Sequence, residues 1–238
     1  MNAQRFVGGV RPEGYLEVDA ARLLLILDRF SRRPDAASPP PCQPELPFAL
    51  HFASEYHLQK LDFLLRYPRY FAYELIDLYA KSEGPAADRS LTARTIREAL
   101  GDREPDLYTE PFLKFMRGAY ERLDNVEAWW YARRLVYTEF ELRQSASPWK
   151  HYFVTDSAIA LAARLRANVT HAAWYSARID QIYRFMGHLR ATEIKARQYR
   201  HESYSQAQYN ELIPDLPDET ISGYFREVFN EDLGVALG

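Results

Sequence analysis

Hydrophobic residues recur at helical spacing along most of this chain. The pattern predicts a helix over residues 18–30, with apolar side chains three and four positions apart on one face. Residues 48–67 are strongly apolar and are predicted to form a second helix. Because a proline ring clashes with the preceding helical turn, Pro68 is predicted to end that helix and to begin a third one, over residues 68–81.

Later segments show the same spacing. A serine cap and a glycine stop bound a predicted helix over residues 91–100, and residues 111–123 are predicted as another. Towards the C-terminus the pattern predicts helices over residues 156–168, 171–200 and 219–229.

The helical pattern is interrupted once. Residues 135–143 alternate and are rich in β-branched and aromatic side chains, residues 144–148 are turn formers, and residues 149–154 resemble a second strand. Thr155 and Asp156 then begin a helix. Two short strands between helices are typical of the end of a winged helix. The predicted fold class is therefore mostly α, with one short β-hairpin in a winged-helix-like element and a long C-terminal helix.

Proline marks the first boundary in the chain. Residues 32–47 contain six prolines and are predicted to form a stiff, partly extended linker. The predicted organisation is an N-terminal helix and linker over residues 1–47, a winged-helix-like domain over 48–170, and C-terminal helices with a basic and then an acidic segment over 171–238.

Composition restricts the classes of protein that fit. The chain has 238 residues, is 47% hydrophobic and carries a net charge of −3, so any nucleic-acid contact must come from a local basic patch. A single cysteine, Cys42, excludes a disulfide framework within the chain and suits a reducing compartment. No apolar run approaches the ~20 residues that span a bilayer. We therefore predict a cytoplasmic protein with no membrane partner.

Charge is segregated in the C-terminal third. Residues 157–201 carry eight basic against two acidic residues, and residues 202–238 carry one basic against eight acidic residues. The simpler interpretation is that the acidic tail folds over the basic helix and neutralises it. The alternative is that each segment meets a different partner.

The common motifs of catalysis and cofactor binding are absent. There is no Gly-x-Ser-x-Gly elbow, no phosphate-binding P-loop and no dinucleotide-binding glycine pattern. No two histidines are spaced for one helix face, so no metal site is predicted. Glu193 and Lys195 have the form of part of a metal-dependent nuclease site, but they fall in helical sequence and this hypothesis ranks last. We expect no catalytic residue and no cofactor.

Basic residues around the predicted wing are the candidate contacts for DNA or for a partner protein. Glutamates and aspartates in the same region dilute the charge, so a protein–protein face is the alternative. The candidates are Lys114, Arg117 and Arg122 on the predicted recognition helix, Arg133, Arg134, Arg143, Lys150 and His151 flanking the strands, Trp149 at the wing tip, and Arg190, Lys195 and Arg197 on the C-terminal helix.

Two segments carry a family resemblance: YHLQKLDFLLR at 56–66, and YFVTDSAIALAARL at 152–165 followed by AWYSAR at 173–178. They resemble the middle components of bacterial three-component ABC-ATPase systems, such as Lamassu-type antiphage systems. The resemblance implies a small helical winged-helix-like protein that associates with an SMC- or Rad50-like ATPase, and it implies no catalytic residues.

Two functions are therefore predicted. The first is a non-catalytic accessory or scaffold subunit that docks on a larger ATPase or nuclease subunit of the same operon. This hypothesis has two forms, one in which the subunit also contacts double-stranded DNA and one in which it does not. The second is a stand-alone winged-helix transcriptional regulator, which forms a homo-oligomer through the predicted helix over 171–200.

Overall fold

The computed structural model describes most of the chain, in the ranges 15–101, 112–115, 118–120, 122–142, 148–208 and 211–234. Most of the described residues are helical, and they also form two small antiparallel sheets. The predicted mostly α fold class is confirmed. No helix in these ranges is both long and apolar enough to cross a membrane.

Helices form most of the described structure. In chain order they are α1 (Tyr15–Phe30), α2 (Glu55–Arg66), α3 (Pro68–Ala80), α4 (Arg89–Gly101), α5 (Asp124–Ala132), α6 (Asp156–Asn168), α7 (Thr170–Met186), α8 (Ala191–Gln198), α9 (Glu202–Gln206) and α10 (Asp218–Phe229).

The strands form two sheets. They are β1 (Leu50–Phe52), β2 (Leu113–Phe115), β3 (Gly118–Tyr120), β4 (Val136–Glu141) and β5 (Trp149–Val154). One antiparallel sheet has the order β1-β5-β4, and β2 pairs with β3 in the other. The hairpin predicted after residue 134 is confirmed as β4 and β5, with Val136 opposite Val154 and Glu141 opposite Trp149.

Three predicted helices were wrong in extent or type. All three residues of β1 lie inside the segment predicted as one helix over 48–67, and they are strand because they pair with β5. The described part of 111–123, predicted as a recognition helix, forms the β2–β3 hairpin. The long helix predicted over 171–200 is present as α7 but ends at Met186, and α8 begins after a turn. A Cβ at Gly187 would lie 2.5 Å from the Tyr183 carbonyl oxygen, so the turn requires glycine.

One hydrophobic cluster joins all three predicted segments of the chain. It includes Ala20 of α1, Leu64 of α2 and Ile182 of α7. Helix α1 packs against α2, α5, α6 and α7, so it lies at the centre of the molecule. The indole N–H of Trp130, which is fully buried, donates to the Ala20 carbonyl oxygen at 3.2 Å and holds α5 against this central helix.

The acidic tail lies against α3 and α4. Asp215 and Asp218 pair with Arg69 of α3, and Glu231 pairs with Arg89 of α4. These contacts correct the interpretation that the tail folds over the basic helix.

The basic segment also finds its partners on α3. Arg197 is buried and pairs with Glu74 and Asp77 of α3 and with Glu83 just beyond it. His201 lies 3.0 Å from the other carboxylate oxygen of Glu74. Both charged segments are therefore neutralised, at least in part, by the α3–α4 region.

Candidate interaction surface

The hairpin follows α5 through a tight corner. The Leu135 N–H donates to the Trp130 carbonyl oxygen at 3.0 Å, and Arg134 takes the left-handed conformation with φ 56°. A non-glycine residue pays about 1–2 kcal/mol for this conformation. The Thr155 hydroxyl donates to the Arg134 and Leu135 carbonyl oxygens, both at 3.0 Å, and accepts from the Ala158 N–H at the start of α6. One side chain thus ties the start of β4 to the start of α6.

An ion-pair cluster fixes the inner face of the hairpin, which faces α2 and α5. Lys150 donates to Glu127 at 2.9 Å and to Glu55 at 3.3 Å, and these three side chains are only 11–13% exposed. The Tyr152 hydroxyl donates to Glu127 at 2.8 Å. Burial by itself would lower the pKa of Lys150, but the hydrogen bond and charge of Glu127, followed by those of Glu55, outweigh it and raise the pKa. Lys150 is therefore charged, and its ion pairs link β5 to α2 and α5.

A chain of polar rings crosses the outer face of the same sheet. His51 Nε2 lies 2.8 Å from His151 Nδ1, and His151 Nε2 lies 3.3 Å from Glu141. Burial, followed by the charge of His151, lowers the pKa of His51 to about 4. Since Glu141 can only accept when ionised, His151 Nε2 is the donor in its contact with Glu141.

Cys42 lies near the same face and shows no sign of an activated nucleophile. Burial, followed by the charges of Glu139 and Glu141, raises the pKa of its thiol. A reactive cysteine requires the opposite shift, because the thiolate is the nucleophile.

The exposed side of α5 forms the first candidate contact surface. Tyr131 is 62% exposed, and its ring meets that of Tyr137 at a centroid distance of 5.6 Å. We call this surface the α5 outer face. Its members share exposure, small or polar character and helical spacing, and they are Asp124, Asn125, Ala128, Tyr131 and Ala132.

The free side of β4 forms the second candidate contact surface. Phe140 is 53% exposed and Leu142, just after the strand, is 84% exposed. Among the described residues, β4 pairs only with β5. We call this side, formed by the backbone of Thr138 and Phe140 together with the Leu142 side chain, the β4 edge.

The predicted contact residues of the hairpin region divide into four groups. Arg122, Arg133 and Arg134 are exposed, and the guanidinium of Arg133 lies over the Trp129 ring at 3.9 Å. Trp149 is half-buried, and its indole N–H donates to the Ala53 carbonyl oxygen. Lys150 and His151 belong to the two internal networks, so their charge and hydrogen bonds serve the fold. Arg117, Arg143 and the side chain of Lys114 lie outside what the structure describes.

The C-terminal candidates are dispersed. Arg190 is exposed and lies 3.2 Å from Glu193, which caps α8 by accepting from the Arg190 N–H at 2.7 Å. The Lys195 amine lies over the Tyr199 ring, 5.3 Å from its centroid. Arg197 is buried, as described above. Because Glu193 caps the start of α8, it does not form a nuclease-like site with Lys195. No group of side chains that could bind a metal ion occurs in the described ranges.

In comparisons with known proteins, no family model, curated protein or solved structure matches this chain.

Proposed function

We propose that this protein is a non-catalytic accessory subunit that docks on a larger protein through the α5 outer face. One observation carries the proposal. The helix that enters the hairpin presents carboxylate, amide, alanine and tyrosine side chains to solvent, and no arginine or lysine. An exposed tyrosine is a frequent anchor in protein interfaces.

The topology supports a winged-helix-like element. Helices α1, α2 and α5 lie beside a sheet in which the early strand β1 joins the β4–β5 hairpin, and α6 follows directly. In such an element the helix before the hairpin is the one that faces a nucleic acid. That helix is α5, and its first turn presents Asp124 to solvent, whereas Glu127 is held by Lys150. A carboxylate at this position would repel phosphates, so the arrangement favours a protein partner over the stand-alone DNA-binding regulator.

The sequence resemblance supplies the expected partner. This partner is an SMC- or Rad50-like ATPase, or an associated nuclease, encoded in the same operon. We expect any contact of the complex with DNA to involve Arg122, Arg133 and Arg134, which are the exposed basic residues beside α5 in the described part of the chain.

Co-expression with the neighbouring gene products, followed by affinity purification, tests the proposal. We expect a stable complex with the large subunit, and at least a tenfold loss of affinity on Ala128→Arg, which places a long cation on the α5 outer face. Ala167→Arg, at an exposed alanine of α6, is the matched control and should bind normally. If neither neighbour associates with the wild-type protein, or if both variants bind equally, the proposal fails. Specific binding of the isolated protein to its own upstream duplex, measured against random DNA, would support the regulator instead.

A further inference from the structure

We propose that the His51–His151 pair is a proton-sensitive latch. At neutral pH it holds residues 33–47 over the outer face of the β1-β5-β4 sheet, and it releases them when both imidazole rings become cationic. We call residues 33–47 the cover segment. The inference does not depend on the proposed function, because it involves no residue of the α5 outer face.

The cover segment lies against the outer face of the sheet. Exposure alternates along part of it, since Pro40, Cys42 and Pro44 are half-buried and the residues between them are exposed. One side of this stretch therefore faces the protein. Just after the segment, the ring of Phe48 meets the ring of Phe153 at a centroid distance of 4.8 Å. Phe153 is on the outer face and is fully buried, so this part of the chain covers it.

Few bonds hold the cover segment in place. Within the part of the chain that the structure describes, its hydrogen bonds are internal, from two of its own N–H groups to Asp35. Just before the segment, Arg32 exchanges two backbone hydrogen bonds with His51, at 2.8 and 3.0 Å. Just after it, the Ala49 N–H donates to the Val154 carbonyl oxygen at 2.8 Å. A segment fixed mainly at its ends opens at a lower free energy than the core.

The imidazole pair accommodates one positive charge. His51 Nε2 and His151 Nδ1 lie 2.8 Å apart, so the contact holds one proton between the two rings. When the pair carries one charge, Glu141 balances it by accepting from His151 Nε2 at 3.3 Å. When both rings are cationic, every ring nitrogen carries a proton, and two N–H groups face each other. The ring centroids are 5.1 Å apart, a separation at which like charges strongly disfavour each other.

The groups around the pair favour charge on one ring over the other. The titratable or charged neighbours on β4 and on the cover side are Glu139, Glu141, Arg32 and Cys42. Glu139 lies opposite His151 in the sheet, whereas Arg32 lies opposite His51 and adds positive charge there. Burial, followed by the charge of His151, lowers the pKa of His51 to about 4. The second proton is therefore taken up by His51 in acid.

His51 is also the ring that can move. His151 belongs to the central strand β5, which is paired on both sides, whereas His51 belongs to the edge strand β1. Because the cover segment lies beside these rings and makes no hydrogen bond to the sheet, it is the element that gives way. Its release uncovers the outer face, where Tyr137 is 5% exposed at neutral pH.

The reaction of Cys42, the single cysteine, with dithiodipyridine measures release, since this disulfide reacts with thiols in acid as well as at neutral pH. The reference is His51→Gln, whose amide can bond to His151 but cannot take up a proton. The ratio of the two rates cancels the pH dependence of the thiol and of the reagent. With a pKa of about 6.5 in the open state and about 4 in the closed state, the open population should rise about 20-fold between pH 7 and pH 5. We expect the ratio to rise by up to this factor.

Two further variants separate release from general acid unfolding. His51→Phe cannot be protonated either, and it should also lack the rise. His57→Phe is the matched control, because His57 is another buried histidine with a lowered pKa but lies on α2, at the inner face of the sheet. It should keep the rise, and circular dichroism should stay unchanged. A wild type without the rise, a rise that persists in both His51 variants, or a rise that is lost in His57→Phe or coincides with loss of the helical signal overturns the inference.

Discussion

Acid sensitivity of the fold should depend in large part on one histidine. His57 lies on α2 with its ring near Phe30 and Phe52, at centroid distances of 6.2 and 5.4 Å. Its Nε2 atom is buried and has no hydrogen-bond partner in the structure as described. Burial lowers the pKa of His57 to about 4. Replacement by phenylalanine keeps a ring of similar shape in this apolar site and removes the proton-binding group.

The sign and size follow from linkage between protonation and folding. The folded pKa lies below the unfolded value, so the neutral ring stabilises the fold above pH 6.5, and this contribution is lost as the pH falls towards about 4. With pKa values of about 6.5 unfolded and about 4 folded, the loss at this residue between pH 8 and pH 5 is about 2 kcal/mol. Removing an unpaired buried nitrogen should also stabilise the variant at neutral pH by about 1 kcal/mol.

Urea unfolding at a series of pH values measures the effect. The free energy of unfolding of His57→Phe should fall by about 2 kcal/mol less than that of the wild type between pH 8 and pH 5. Some acid loss should remain, because the pKa of His51 is also lowered. His171→Gln is the control, since His171 is exposed and its replacement should leave the pH profile unchanged. Parallel profiles for His57→Phe and the wild type would refute the reasoning.

Three other substitutions test charged groups inside the fold. Lys150→Met leaves two largely buried carboxylates unpaired and should cost about 3 kcal/mol in urea unfolding, part of which Glu127→Gln should restore; no loss would show that the cluster is not stabilising. Burial lowers the pKa of Lys60 to about 7, so the wild type should gain about 2 kcal/mol of unfolding free energy between pH 7 and pH 9, and Lys60→Met should abolish this gain. Arg197→Met leaves Glu74 buried without its arginine and should speed proteolysis at the turn before α8, whereas unchanged cleavage would contradict this anchoring role.

Elements with local causes were predicted from the sequence. The break at Pro68 is confirmed, since α2 ends at Arg66 and α3 begins with the proline itself. The β4–β5 hairpin is confirmed because alternation, turn formers and a capping threonine all lie within about 20 residues of one another. In each case the signal and the structure occupy the same short stretch of chain.

Elements with distant causes were missed. The three residues of β1 look helical in sequence and become strand only because they pair with β5, about 100 residues later in the chain. The β2–β3 hairpin carries one local signal, Gly118 between two short apolar runs, which the predicted helix over 111–123 passed over. Gly187 likewise marks the end of α7, but a glycine alone only lowers confidence in a helix and does not end it.

Two of the predicted contact residues pair with carboxylates inside the fold, for a related reason. Sequence can locate a cation beside a strand, but it cannot show whether a carboxylate from another helix will meet that cation. Lys150 and Arg197 both meet carboxylates from distant helices, Glu127 and Glu74, and so their charge is used in holding elements together.

Accessibility is a property of the assembled fold. The α5 outer face therefore emerges only when Val126 and Trp130 are seen to be buried, which leaves the opposite side of the helix to solvent. Its lack of basic residues, rather than the number of arginines nearby in the sequence, is what favours a protein partner over DNA.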